Sequence, residues 1–254
     1  MRDIKIYTNA LKNSIKKELS RSFGFGCVNY FSQGSHDDMD WKLFEKSAKS
    51  IILSFNNIDW YNIKDFYDLK KVGIDIEKKM FLATNNINTH KGLIFLQLFL
   101  AYAYVHNINW NEIENFTINF SKPLKKDYIK NFNAMNWNKN DLKDIRFYPL
   151  TGFKKILHIV DDIYLKNISD TDLTLLLISI VDDTTTFHRS NLKLLRKVQN
   201  DALTIIKNKN SIDYKNNIKK LNDFYVKNHL SSGGVADLFT TIRTLEALKE
   251  DFCD

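Results

Sequence analysis

Only two prolines, Pro123 and Pro149, and eight glycines punctuate 254 residues. Proline removes a backbone donor and glycine supplies the positive φ of tight turns, so folds made of many short strands need both far more often. Apolar positions recur at helical spacing instead. They predict helices over residues 9–22, 40–57, 61–82, 91–107, 110–119, 125–135, 151–166, 171–181, 190–208, 212–228 and 234–250. In the last of these, Val235, Leu238, Phe239, Ile242, Leu245 and Leu248 form one stripe, which is a core face. The expectation is all-α: a single compact multi-helix domain over residues 1–254. At 44% apolar and 13% aromatic, the chain has enough hydrophobic surface to order itself. There is no internal repeat. Residues 131–150, "NFNAMNWNKNDLKDIRFYPL", are polar and irregular, as a loop or lid would be.

The net charge of +7 admits an anionic partner. Its lysines are scattered in pairs such as Lys16-Lys17, Lys70-Lys71 and Lys125-Lys126, with no basic arm and no nucleic-acid-binding module. No nucleic acid is expected, and a phosphorylated small molecule fits the charge better. Cys27 and Cys253, one near each end, give neither a disulfide framework nor zinc spacing, which points to a reducing cytoplasm. The start is charged and lacks a signal core. The most hydrophobic run, "GLIFLQLFLAYAYV" at 92–105, falls short of the roughly 18–20 residues that span a bilayer. No membrane association is expected.

Four short segments stand apart from this background, each joining a polar or small turn to an apolar helix. "GSHDDMDWKLF", residues 34–44, crowds Asp37, Asp38 and Asp40 beside His36. Like charges this close repel unless a cation or a helix start accommodates them, and Ser35 with Asp38 has the spacing of a capping box. "NINTHKG", residues 86–92, places Lys91 at a helix start. That is either an anion site of backbone N–H groups or an ordinary cap by Asn88 or Thr89. "VDDTTTFHR", residues 181–189, sets Asp182 and Asp183 after an apolar helix. Two carboxylates at a helix's negative pole call for a cation such as magnesium, or else mark a solvated helix end. Arg189 there has the planar fork suited to phosphate. "HLSSGGVADL", residues 229–238, has a flexible turn at Ser231–Gly234 that lets backbone approach a ligand, with Asp237 one helical turn inside. Four of the six histidines, His36, His90, His188 and His229, fall in these segments.

In order and spacing from about residue 20 to 245, the four segments together resemble the triphosphoribosyl-dephospho-CoA synthase family, which makes the prosthetic-group precursor of citrate lyase and malonate decarboxylase. The matching residues are Gly34, Ser35, His36, Asp38, Met39 and Asp40; Asn88 to Gly92; Asp183, Thr184, His188 and Arg189; and Ser231, Gly233, Gly234, Ala236, Asp237 and Leu238. The resemblance implies a helical pentosyltransferase using ATP and magnesium. In its reaction a hydroxyl of dephospho-CoA replaces adenine at C1 of the ATP ribose, through an oxocarbenium-like centre that a carboxylate would stabilise. It implies Asp38, Asp40 and His90 as catalytic residues. It puts Ser35, His36, Asn88, Thr89, Lys91, His188, Arg189, Ser231, Gly233 and Gly234 on the nucleotide, and Asp38, Asp40, Asp182, Asp183 and Asp237 on Mg2+. It also admits a homodimer and a carrier-protein partner.

Two stretches depart from the family pattern. Gly24 and Asn29 stand where the family has a lysine and an aspartate, and Phe153–Ile156 follows Thr151-Gly152 where it has an arginine and a glutamate. These changes suggest an altered acceptor with the nucleotide chemistry retained. A non-catalytic nucleotide- or partner-binding helical protein is the alternative from another class.

Overall fold

A computed structural model describes residues 1–135 and 137–253. Its helices, in chain order, are α1 (Ile4–Leu19), α2 (Trp41–Asn56), α3 (Phe66–Ala83), α4 (Lys91–Val105), α5 (Ile113–Phe120), α6 (Leu124–Ala134), α7 (Phe147–Leu150), α8 (Lys154–Lys166), α9 (Asp170–Ile180), α10 (Thr184–His188), α11 (Leu192–Lys207), α12 (Tyr214–Lys227) and α13 (Gly233–Cys253). Short 3₁₀ turns occupy Trp60–Asn62, Trp110–Glu112 and Trp137–Asn140. Among the described residues there is no strand, only an isolated bridge between Asn29 and Ser32.

Side-chain caps explain several boundaries. Asp3 accepts from the Lys5 amide, so α1 starts five residues earlier than its apolar periodicity predicts. Asp65 takes the Tyr67 and Asp68 amides and delays α3 to Phe66. Asn191 caps α11 and Ser169 caps α9 through their side chains. Helix α2 is capped by Asp40 through Leu43 N at 2.9 Å, not by Ser35 as the capping-box spacing predicts. Left-handed residues at Phe153 and Asn167 bracket α8. The two helices that periodicity does not show, α7 and α10, are too short to display a period.

The core is continuous from Tyr7 to Phe252. Helix α4 lies at its centre, buried on nearly every face from Leu93 to Val105. Each buried leucine or phenylalanine there contributes about 1.5–3 kcal/mol. Helix α13 packs along α4 and touches α1, α8 and α9, with α11 and α12 outside α9, and α2 and α3 beyond α1 and α4. One polar residue sits inside this apolar centre. Gln97 accepts from Tyr7 Oη at 2.6 Å and donates to Thr241 Oγ1 at 3.0 Å, so α1, α4 and α13 share one fully paired node. Among the described residues no helix is long and apolar enough to cross a membrane.

Candidate active site

A cleft of about 490 Å³ opens where α1, α4 and α13 meet the loops before α2, α7, α10 and α13. That lies within the roughly 300–1,000 Å³ of small-molecule sites. All four segments reach it: His36 and Met39 from the first, Asn88 to Gly92 from the second, Thr184 and Thr185 from the third, and Ser231, Gly233, Gly234 and Asp237 from the fourth.

Glycines make the convergence sterically possible. Gly26 (φ 78°) faces Leu230 O so closely that a Cβ would sit 1.9 Å from it, and a Cβ on Gly34 (φ 64°) would sit 2.4 Å from Gly26 O. The first and fourth segments therefore both pack backbone against backbone on the turn at Phe25-Gly26, through Ser35 N to Gly26 O (3.0 Å) and Ser232 N to Phe25 O (3.2 Å). Cys27 is buried at this junction, with its thiol beside the hydroxyls of Ser231 and Ser232, and burial pushes its pKa up.

The carboxylates divide sharply. Asp237 lines the cleft, half-buried, against Gly92, where a Cβ would come within 2.1 Å of its Oδ2. Burial pushes its pKa well above the ordinary carboxylate value, the negative charges of Asp183 and Glu18 add to that, and the Leu93 amide only partly opposes it. Among the described residues Asp237 forms no ion pair. Glu18 of α1 also lines the cleft, buried and paired with Arg21. Burial raises its pKa while Arg21 lowers it. Glu77 is bound to Lys91 at 3.2 Å, and Asp144 is gripped by Arg146 through Nε (2.8 Å) and Nη2.

Asp183 is buried but turned away from the cleft wall. Its Oδ1 accepts from Thr186 N at 2.8 Å and its Oδ2 from Val235 N at 2.9 Å, so it caps α10 and ties that helix to the first turn of α13. Asp182 points elsewhere, to Arg196 at 2.7 Å and Lys143 N at 3.3 Å. The adjacent pair does not sit at the negative pole of α9, as the sequence reading supposes. Val181 already ends that helix in extended backbone, and protein groups relieve both charges. Asp37 and Asp38 are exposed, with Asp38 3.8 Å from His36 Nδ1, and Asp40 is the cap of α2. The structure thus brings only Asp237 of the five expected magnesium carboxylates onto the cleft. Among the described residues no group of three or more His, Cys, Asp or Glu side chains gathers to hold a metal.

Two histidines are held neutral. Arg189 can only donate, so its Nη2–H to His36 Nδ1 (3.0 Å) places the ring's proton on Nε2, which donates to Ser231 Oγ (3.0 Å). Burial and then Arg189 lower the His36 pKa. Arg189 itself stays off the cleft wall and also donates to the carbonyls of Ser35 and His229. His90 lines the cleft with Nδ1 2.7 Å from Ser47 Oγ, which Thr89 also reaches at 2.7 Å, and Phe44 packs edge-on against its ring. Burial takes its pKa to about 4. Lys91 N is capped by Asn88 Oδ1 at 3.2 Å. Ser35 donates through its hydroxyl to Tyr225 O of α12 at 3.3 Å and accepts from Arg189 at its carbonyl, and His188 is exposed beside Phe187, away from the cleft.

Sequence reasoning missed Glu18, Glu77, Asp144 and Arg146. For Glu18 a signal existed: it falls in register with Tyr7, Leu11 and Ser14 on the buried face of α1, where a carboxylate is out of place. Asp144 and Arg146 sit in the irregular stretch 131–150, which carries no period. One residue of that stretch, Asn136, lies outside the described residues.

The departures from the family pattern fall off the cleft. Asn29 is buried, donating to Arg21 O (3.2 Å) and accepting from Phe31 N (2.9 Å), the first of which an aspartate could not do. Ile156 is in the core, Lys154 meets Glu114 at 3.5 Å, and Lys155 donates to Ile180 O at 3.3 Å.

Comparison with known proteins matches the chain over residues 5–136 and 120–253 to the family described as ATP:dephospho-CoA triphosphoribosyl transferase. A probable 2-(5''-triphosphoribosyl)-3'-dephosphocoenzyme-A synthase of Acinetobacter calcoaceticus is 28% identical over 95% of this chain and 90% of its own length. One from Streptococcus equi subsp. zooepidemicus is 29% identical over 87% and 89%. The 2-(5''-triphosphoribosyl)-3'-dephosphocoenzyme-A synthase of Haemophilus ducreyi is 26% identical over 84% and 79%. No solved structure matches the chain.

Proposed function

The chain belongs to the ATP:dephospho-CoA triphosphoribosyl transferase family, and from that premise we propose that it moves the 5-triphosphoribosyl group of ATP to a hydroxyl of dephospho-CoA and releases adenine. The acceptor oxygen bonds to C1 of the ribose as the bond from C1 to the adenine nitrogen breaks. The acceptor hydroxyl loses a proton and the departing adenine nitrogen gains one.

The observation that carries this reading is Asp237, the cleft carboxylate without an ion pair. A raised pKa suits a group that must receive a proton, and its negative charge stabilises positive charge building at C1. We assign it the acceptor hydroxyl. His90, neutral and oriented through Ser47, lines the cleft and is assigned to the nucleotide. Lys91, Ser231 donated to by His36, and the exposed backbone of Gly92, Gly233 and Gly234 are assigned to the phosphates. Arg189 and Ser35 hold these groups in place from behind, and Asn88 and Thr89 do so from the cleft wall. Magnesium would enter on the triphosphate, screening its charge, with phosphate oxygens and water as its main ligands; the scattered aspartates do not form a shell for it. Because the sequence departures lie off the cleft, they give no reason to move the acceptor away from dephospho-CoA.

The test is to incubate the protein with ATP, magnesium and dephospho-CoA and follow adenine by chromatography and the acceptor by mass. Equimolar adenine and triphosphoribosyl adduct are expected. Release of ADP in place of adenine, or no adduct, would overturn the assignment.

A further inference from the structure

A second, smaller cavity of about 230 Å³ adjoins the cleft. Its walls are Leu69, Gly73 and Ile74 of α3, Leu98 and Phe99 of α4, and Leu124 at the start of α6. It shares a wall with the cleft, because Glu77, Phe95 and Arg146 line both. The cleft is charged and hydrogen-bonding, whereas the groove is lined mostly by hydrocarbon, with Lys70, Asp127, Glu77 and Arg146 as its charged residues. At their junction stand two cations on fixed carboxylates, Arg146 on Asp144 and Lys91 on Glu77. A third, Lys70, closes the far side of the groove on Asp127 at 2.6 Å.

This shape matches the difference between the two substrates of the proposed reaction. Each is an adenosine carrying 5′ phosphates. Only the acceptor continues past its diphosphate into a long uncharged arm, with a branched dimethyl carbon, two amides and a thiol. A polar cleft alone distinguishes two adenine nucleotides poorly, because a hydrophobic extension is rejected only where it has no place and gains only where it has one.

We infer that the groove between α3, α4 and α6 receives the pantetheine arm of the acceptor, with its diphosphate held by Arg146 at the junction. The inference rests on the acceptor named above. It makes the groove the element that separates acceptor from donor. Gly73 gives the groove its depth, since a side chain there would extend toward Leu98 Cδ1, 2.8 Å from where its Cβ would stand. Ile74 is partly exposed and lines the open edge, so changing it disturbs little packing.

The experiment is titration calorimetry with dephospho-CoA, ADP and ATP on the parent protein, Gly73→Leu and Ile74→Asp, with melting curves to confirm folding. ADP carries the same head without the arm. The parent is expected to bind dephospho-CoA about tenfold or more tightly than ADP. Both variants should remove that advantage while ADP and ATP bind as before. Equal affinity of the parent for dephospho-CoA and ADP would overturn the inference, as would folded variants that keep the advantage. Binding is read without turnover, so it separates from the proposed reaction. A protein that prefers the armed nucleotide but releases no adenine keeps the groove and loses the reaction, and one that releases adenine without the preference does the reverse.

Discussion

Asp183 and Asp237 are two carboxylates at the same end of α13, both taken partly or wholly out of water, both with pKa values raised by burial. Their surroundings differ in what is left to accept. At the junction of α10 and α13, both oxygens of Asp183 hold backbone amides from two helix starts. On the wall between α4 and α13, Asp237 has the Leu93 amide, a neighbouring Glu18 and open cleft. Burial alone therefore does not mark a reactive group. A charge with full hydrogen bonding holds the fold together, and a charge with acceptor capacity remaining can act on a ligand.

The largest test of that contrast is Asp237→Asn. Adenine release should fall by about 10²–10⁴-fold if it receives the acceptor's proton, yet the melting temperature should hold or rise. The sign follows from its raised pKa. The folded protein binds that proton more tightly than the unfolded chain, so the group favours folding below the ordinary carboxylate value of 3.8 and loses that contribution as pH rises through its folded value. Denaturation measured from pH 4 upward should show Asp237→Asn gaining on the parent as pH increases. Unchanged turnover would remove Asp237 from the reaction.

Asp183→Ala should show the reverse pattern. It strips the cap of α10 and a buried bond to α13, for about 2–4 kcal/mol of stability, and urea melts would register it. A variant as stable as the parent would break the comparison from the structural side.

Arg189→Ala should cost about 1 kcal/mol, because it removes hydrogen bonds to two carbonyls at an exposed position. Its sharper readout is His36, whose pKa is held down by burial and then by Arg189. NMR titration should find that pKa higher in the variant. In the parent the neutral ring's contribution is complete above the ordinary histidine value of 6.5 and fades as pH falls through the lowered one.

The smallest effects belong to the segment that crowds its acids most visibly. Asp40→Ala should lose about 1 kcal/mol as the cap of α2. Asp38→Asn, exposed, should stay within about 0.5 kcal/mol and leave adenine release near the parental rate. A large loss of activity at Asp38 would shift the reacting centre toward the cleft entrance.

How far the sequence could be read follows the same division. Helix existence was legible, because few breakers and strong periods leave little choice, and so was the meeting of the four segments, whose turns share the composition of a ligand site. The role of each acid was not. Asp182 and Asp183 are neighbours in sequence, but in extended backbone they face opposite ways, one to Arg196 and one to two helix starts. Whether a carboxylate's oxygens are already occupied depends on amides that lie far away in the chain, as Val235 does from Asp183. Glu18 was visible only as a misfit in a stripe that otherwise read as core.

The contact between α1 and α13 has a consequence for how the protein is born. Glu18 and Asp237 face one cleft from opposite ends of the chain, and Gln97 of α4 is satisfied only when Tyr7 and Thr241 are both present. Translation delivers the first of these long before the last, at about 5–20 residues per second. Until α13 emerges and docks, the nascent chain carries the oiliest helix of the molecule with one flank bare and Gln97 without its Thr241 partner. The growing polypeptide thus keeps that flank open to chaperones and to sticking until α13 has been made, and the cleft lacks its Asp237 wall until then.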